Sequence, residues 1–388
     1  MVDPARRATL LFYCQHSLGI GHLTRSFALA EALRERFHVV FLNGGRLPPG
    51  VTVPEGIERI DLPPLGMDDG HTVVSRDGRF DAAAAQAARR ALIDATRERV
   101  QPAVVLIELF PFGRKKFAGE ILPLIRRARA QAVPARIVCS LRDILVDARP
   151  DQQHHDDRAR WLADRYFDAV LVHSDPAFAR LEQSFHPRRP MRTPVHATGY
   201  VVPVRPRGNA RRGTHLLVSA GGGIVGAPLY RAALAGRALM REPVPMRIVA
   251  GPFLPQADWL ALQQQAAGDP GVQLLRHVSD MVAEMRQARA SLSQCGYNSA
   301  LDLVASGVPA LVVPYETSTE NEQRVRAERL AELGALRVLG SALAVPERLA
   351  VAFDDLLDFA PRPAALDLGG ATRSAELLAR LVHKAVPA

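Results

Sequence analysis

A chain of 388 residues with 48% hydrophobic and 23% charged side chains has the composition of a soluble globular protein long enough for two domains. Its net charge of +9 is carried by arginines scattered along the chain, the only lysines being Lys115, Lys116 and Lys384, so no basic arm for nucleic acid is present and none is expected as a partner. Cys14, Cys139 and Cys295 lie far apart, which argues against a disulfide framework or a zinc site and suits a reducing cytoplasm, and no apolar run approaches the roughly 20 residues that span a bilayer.

Residues 8–14 form an apolar, β-rich run. Arg6 and Arg7 precede it, but Gln15-His16 ends it without a cleavage-type sequence, so a first strand is expected rather than a signal peptide. A glycine-containing loop follows, then Leu23, Phe27, Ala30, Leu33 and Phe37 at helical spacing, then a second strand over 39–42. This is the opening of a doubly wound α/β domain. Gly19-Ile20-Gly21 lacks the third glycine of the dinucleotide fingerprint, and Asn43-Gly44-Gly45 stands where an acidic residue should end the second strand; both argue against a dehydrogenase. The glycines let backbone approach a ligand closely. His22, at the helix start, would project into a cleft, where an imidazole can accept a proton from a hydroxyl or water near neutral pH. Arg25, one turn later, would hold phosphate or orient His22. The plainer alternative is that His22 caps its helix and Arg25 is solvated.

Residues 48–79 are rich in proline, glycine and aspartate, with only 57–62 strand-like, and 66–70 reads as a mobile surface loop. A helix is expected over 81–100 and a buried strand over 104–108, ending in Glu108 at the cleft edge. Residues 109–113 form an apolar loop beside Arg114-Lys115-Lys116, suited either to membrane contact or to burial in a domain interface. A strand over 135–140 leads into Arg142 and Asp143, which would line the cleft or form a structural ion pair. His154 and His155 are adjacent and cannot both face one metal from a helix. No Asp-x-Asp pair offers a divalent-cation site. The strand over 169–173 ends in His173-Ser174-Asp175-Pro176, either a second cleft group or a helix start. The aperiodic stretch 199–213 reads as a linker.

A second strand–loop–helix unit begins at 214–219, with Gly221-Gly222-Gly223 at a turn able to cradle phosphate. Strands are expected over 247–250 and 272–275. From 293 to 335 the chain reads as strand end, Gly296 turn, helix, apolar strand between Pro309 and Pro314, polar loop and helix. Asn298 and Ser299 are N-cap residue types, and Ser299-x-x-Asp302 is a capping-box variant that needs no ligand. Asn321 opens the next helix, with Glu322 and Gln323 in its first turn. Two helix N-termini would then face one crevice beyond the strand ends, where open α/β sheets bind ligands and free N–H groups attract phosphate. Asp302 would accept from ribose hydroxyls; Glu322 and Gln323 would reach an attached sugar. Helices over 345–359 and 371–385 close the chain.

At Ser293, Gly296, Ser299, Asp302, Gly307, Pro309, Pro314, Glu322, Gln323 and Ala327 the chain resembles the nucleotide-sugar half of MurG-like glycosyltransferases, with Asp302 one methylene shorter than the family's usual Glu. Gly19-Ile20-Gly21-His22-x-x-Arg25 resembles the same family and also the nucleotide-sugar hydrolases of pseudaminic acid synthesis. Leu141-Arg142-Asp143-Ile144 and Gly296-Tyr297-Asn298 are similar to a branch of predicted glycosyltransferases. The resemblance implies the GT-B architecture: α/β, two doubly wound Rossmann-like domains facing across a cleft. These would cover 1–200 and 214–365, with a linker at 201–213 and a C-terminal helix at 366–388 packing back on the first domain. It further implies metal-independent, inverting transfer of a hexose-type sugar, such as an N-acetylhexosamine, from a UDP-sugar to an acceptor hydroxyl, with no cofactor. The acceptor would be lipid-linked or a small molecule, and the protein cytoplasmic or peripheral at the inner membrane face. His22 would be the base. Gly19, Gly21, Arg25, Gly221, Gly222, Gly223, Val278 (by backbone, at the nucleobase), Gly296, Asn298, Ser299, Asp302, Glu322 and Gln323 would bind the donor. A nucleotide-sugar hydrolase and a non-catalytic nucleotide-sugar-binding subunit remain as alternatives.

Overall fold

The computed structural model describes residues 7–16, 21–48, 51–68, 72–147, 149–203, 212–318 and 320–383. The first apolar run is strand β1 (Thr9–Cys14), and α1 (Gly21–Leu33) returns the chain to β2 (His38–Asn43). Then follow β3 (Glu58–Asp61), the short β4 (Leu65–Met67) and β5 (Val73–Ser75), α2 (Ala82–Val100), β6 (Val104–Glu108) and α3 (Ala118–Arg129). β7 (Arg136–Arg142), α4 (Gln152–Tyr166), β8 (Ala169–His173) and β9 (Val195–Ala197) complete the first half. Seven strands form a sheet in the order β3-β2-β1-β6-β7-β8-β9. All its pairs are parallel; Leu10 lies beside Val39 on one side and Val104 on the other. Alternate side chains of β1 point to opposite faces. Leu11 and Tyr13 join Ile93 of α2 and Ile121 of α3 in one core. Leu10 and Phe12 join Leu23 and Phe27 of α1 in the other. Burial on both faces explains why these strands read as unbroken apolar runs.

The second half repeats the plan: β10 (Leu216–Ser219), α5 (Ala227–Ala238), β11 (Met246–Val249), α6 (Gln256–Ala266), β12 (Val272–Leu275), α7 (Met281–Gln287) and β13 (Ala290–Ser293). Next come α8 (Tyr297–Ser306), β14 (Ala310–Val312), α9 (Glu322–Glu332), β15 (Arg337–Val338), α10 (Pro346–Leu357) and α11 (Gly370–His383). The six-stranded order β12-β11-β10-β13-β14-β15 is doubly wound, reversing between β10 and β13 as the first sheet reverses between β1 and β6. Helix α11 leaves this half: Ala371, Ala375 and Leu378 are buried against α1 of the first.

Three local expectations are corrected. The segment around 66–70 is flanked by an antiparallel ribbon pairing Leu65 with Ser75 and Met67 with Val73; residues 69–71 lie outside the described ones. The apolar loop after β6 faces neither a membrane nor the other domain. Phe110 and Phe112 are buried in the first domain's own core, with ring centroids 6.2 Å from Phe167 and 5.0 Å from Phe185. Asp175-Pro176 opens a turn rather than a helix, with Asp175 accepting from Ala177 N. Among the described residues no helix is long and apolar enough to cross a membrane.

Arg89 of α2 is fully buried and ties this domain's loops together. Its guanidinium donates to Glu120 at 2.6 and 2.9 Å, to Gln15 Oε1 at 2.7 Å, and to the carbonyls of Gly44 and Pro63, each at 2.9 Å. Removing one partner of a buried ion pair strands the other charge. Arg89→Met is therefore expected to destabilise the protein by about 3–5 kcal/mol, with part of the loss recovered in Arg89→Met/Glu120→Leu. Denaturant unfolding followed by circular dichroism checks both; a melt indistinguishable from wild type for the single variant contradicts the account.

Candidate active site in the interdomain cleft

The carboxyl ends of the two sheets at their reversal points face one another across a cleft of about 740 Å³. The first half contributes Gly21, His22 and Arg25 from the start of α1. The second contributes Gly221, Gly222 and Gly223 after β10, Val278 after β12, Gly296, Asn298, Ser299 and Asp302 around the start of α8, and Glu322 and Gln323 at the start of α9. Gly19 lies outside the described residues. The other donor-side candidates, far apart in sequence, thus meet in one cavity with His22.

His22 does not merely cap its helix. Its Nδ1 lies 2.6 Å from Glu108 Oε1, and the carboxylate is completely buried at the end of β6. Arg25 donates to the same carboxylate oxygen, and Arg114 lies 3.9 Å from the other. Burial opposes ionisation of Glu108, but the charge and hydrogen bond of His22, with Arg25 and Arg114, prevail and hold its carboxyl down to about 2. For His22, burial is the largest influence and outweighs the pull of Glu108, lowering the imidazole to about 4. At neutral pH the pair is a carboxylate and a neutral imidazole. Because Glu108 can only accept, Nδ1 carries the ring hydrogen and Nε2 is left as the acceptor. His22 is 18% exposed and lines the cleft. The arrangement is that of a general base oriented by a buried acid. The role of Glu108 was visible in the sequence only as an acid ending a buried strand; that β6 adjoins β1, and so brings Glu108 beside His22, is a matter of topology.

On the opposite wall, α8 begins two residues earlier than cap chemistry suggested. Gly296 is its N-cap, with no side-chain cap hydrogen bond, so Asn298 and Ser299 lie within the first turn and cap nothing. Among the described residues no side chain caps the first N–H groups of α8 at the cleft, the arrangement that attracts anions. Asn298 instead reaches across to donate to the Gly21 carbonyl at 3.2 Å. The Ser299 hydroxyl sits beside Gly221. Gly223 has φ +88°, and a Cβ there would lie 2.0 Å from the Ala250 carbonyl oxygen, so only glycine allows the loops after β10 and β11 to pack this closely. Asp302 lies one turn into α8.

The start of α9 is more engaged than expected. Gln323 Oε1 accepts from Cys295 N at 3.1 Å and Tyr315 N at 3.2 Å, bracing the two strand-end loops. Glu322 is paired with Arg142 of the first half at 2.8 Å. Asp143 resolves as a structural ion: it is fully buried and bridged to Arg326 of α9 at 2.8 and 3.0 Å. His173 is buried away from the cleft, held by Ser140 and Thr198. Tyr297, noted in the sequence only within Gly296-Tyr297-Asn298 and given no role there, packs beneath the Arg25 guanidinium at 5.1 Å and donates to the His173 carbonyl.

Residues 253–382 match the model of the glycosyltransferase family 28 C-terminal domain. The UDP-N-acetylglucosamine–N-acetylmuramyl-(pentapeptide) pyrophosphoryl-undecaprenol N-acetylglucosamine transferase of Mesorhizobium japonicum is 31% identical over 42% of this chain and 45% of its own length. The enzyme of that name from Chromobacterium violaceum is 33% identical over 44% and 50%. The chain thus matches about half the length of these curated relatives. Likeness of fold extends further. Acinetobacter baumannii MurG superposes with a TM-score of 0.54 at 17% identity, covering 97% of this chain and 99% of its own. The calicheamicin glycosyltransferase CalG4 does so with a TM-score of 0.57 at 17% identity, covering 98% and 95%. The second half of the chain thus matches a glycosyltransferase family 28 C-terminal domain, and the chain as a whole has the GT-B fold that MurG and CalG4 share.

Proposed function

We propose that the protein transfers a hexose-type sugar from a UDP-sugar to an acceptor hydroxyl, with inversion and without a metal ion. The observation that carries this reading is His22, hydrogen-bonded to buried Glu108, lining one cleft with the start of α8, whose glycine N-cap makes no side-chain bond. The donor diphosphate would lie against the N–H groups of Tyr297, Asn298 and Ser299 and the Gly221-Gly222-Gly223 loop. Helix dipole and N–H groups would there take up the charge of the leaving group. The base would lie near Val278, the ribose at Asp302 and the sugar at Glu322 and Gln323. A UDP-linked N-acetylhexosamine agrees with the names of the curated relatives, which also point to a lipid-linked acceptor. The acceptor O–H attacks the anomeric carbon and its proton passes to His22 Nε2. The anomeric C–O bond to phosphate breaks with its electron pair, releasing UDP.

His22→Ala is expected to lower turnover by about 10²–10⁴-fold while leaving UDP affinity within about twofold, and Glu108→Gln to slow turnover at unchanged donor affinity. Steady-state rates with calorimetric binding check both; full activity in a folded His22→Ala variant rules out the base role. Incubation of the pure protein with a panel of nucleotide sugars separates transfer from hydrolysis, the reading that the Gly-Ile-Gly-His-x-x-Arg resemblance favours. Rapid, His22-dependent release of UDP without an acceptor would make the protein a hydrolase. UDP binding with no turnover under any acceptor would make it a binding subunit.

The pH profile follows from the burial of His22. Catalysis needs the neutral imidazole, whose pKa is lowered to about 4, so protonation should silence it only in that region. The acid limb of kcat/KM is expected well below 6.5, the usual value for a free histidine. A limb at or above 6.5 that disappears with His22 overturns the assignment of a buried, neutral base.

A further inference from the structure

Helix α9 presents two stripes. Ala327 and Leu330 are buried in the core. Glu322, Arg326 and Arg329, at i, i+4 and i+7, all meet the first domain: Glu322 pairs with Arg142, Arg326 with Asp143, and Arg329 donates to the Phe178 carbonyl at 3.0 Å. Arg142 and Asp143 are consecutive at the end of β7, so two ion pairs of opposite sense lie side by side across the domain boundary.

The two pairs differ in how fully they are satisfied. Asp143–Arg326 is closed: both carboxylate oxygens accept from the guanidinium, and the remaining Arg326 Nη1 donates to the Cys295 carbonyl at 2.8 Å. Neither residue lines the cleft. Arg142–Glu322 is open. Both residues line the cleft, and their side chains are 17% and 15% exposed. The Arg142 Nη1 donates to Glu322 Oε1 at 2.8 Å, and Nη2 lies against Oε2. The Arg142 Nε is buried with no acceptor among the described residues. A carboxylate has about four lone-pair sites, of which a guanidinium fork occupies two. With the Arg142 Nε buried, what the pair offers the cleft is the remaining acceptor capacity of the part-exposed Glu322 carboxylate, which suits hydroxyl groups as donors.

We propose that Arg142 is a positioning residue. Its fork fixes the Glu322 carboxylate in the orientation that receives the hydroxyls of the donor sugar. Because Arg142 belongs to the first domain and Glu322 to the second, the sugar is read only when the two domains are closed on it. This rests on the donor assignment made above. The pair touches the sugar and not the nucleotide, so the proposal separates the two in a measurement.

The test is calorimetric titration of the intact protein with UDP and with UDP-glucose and UDP-N-acetylglucosamine. Arg142→Met is expected to weaken binding of the nucleotide sugar about tenfold or more while leaving UDP unchanged, the size of one lost charge-assisted interaction. Arg142→Lys, which keeps charge but loses the fork, should fall between. Glu322→Gln should show the same selective loss, and Arg142→Met/Glu322→Gln should be no weaker than Glu322→Gln alone, since the two act as one unit. Equal loss of UDP and UDP-sugar in a folded Arg142→Met variant overturns the proposal and leaves a structural clamp. So do losses that multiply in the double variant. Wild-type protein that binds UDP but no better with either sugar attached, and shows no Arg142 dependence, also overturns it. Wild-type protein that binds none of the three overturns the donor assignment itself, and this proposal with it.

Discussion

The site depends on one buried charge. Glu108 ends a strand in the middle of the first sheet with no exposure to solvent, and an isolated carboxylate there would be strongly disfavoured. It is tolerated because His22, Arg25 and Arg114 converge on it. The same convergence has chemical consequences. It fixes the tautomer of His22, holds the ring against the sheet, and orders the first turn of α1, which carries Gly21 to the cleft. Arg25 then rests on Tyr297, which opens α8 on the opposite wall. The charge that orients one half of the site thereby touches the helix that forms the other half.

The boundary between the halves combines apolar packing with ions. Ile144, Phe178 and Tyr200 from the first half are buried together with Cys295, Tyr297 and Ala300 from the second. Asp143 and Arg326 cross this layer fully desolvated. Such a pair adds little net stability compared with apolar residues, but misalignment would leave two buried charges unpaired, so it specifies register. Domain interfaces of this kind ordinarily permit relative motion. Here the cleft end carries exposed polar groups while the deep end is apolar, so opening costs least where a ligand would enter.

Much of this was legible in the sequence. The strand–glycine loop–helix opening and its repetition in the second half follow from apolar runs of strand length bounded by glycines, and β6 and β12 have the bounds that the apolar runs alone suggested. Candidate ligand residues were legible for a related reason: glycines at strand ends and polar residues at helix starts are cheap to recognise locally. What was not legible depends on contacts distant in sequence. Glu108 and His22 are 86 positions apart and meet only because β6 inserts next to β1. The partners of Arg142 and Asp143 lie about 180 residues away. The start of α8 was misplaced because cap propensity favours Asn and Ser, whereas here the glycine takes the cap and those residues face the cleft. The loop at 109–113 misled because an apolar run beside basic residues looks alike whether it is bound for a bilayer or for its own core.

The chain passes between the halves twice; the first passage leaves the first domain after 199–203, with 204–211 outside the described residues, and the second lies near 367–370, where α11 returns to the first domain. The two passages are stitched to one another: Tyr200 N donates to the Asp367 carbonyl at 2.7 Å, and Gly370 N donates to the Tyr200 carbonyl at 3.0 Å. Arg373 adds a bond to the Thr198 carbonyl. A single connecting strand is a swivel, free to turn about its own length. Two strands bonded side by side form a flat strap, soft to folding across its width and stiff to torsion. The bonds that Thr198 and Tyr200 make with Asp367, Gly370 and Arg373 thus tie the two passages to one another against torsion between the halves.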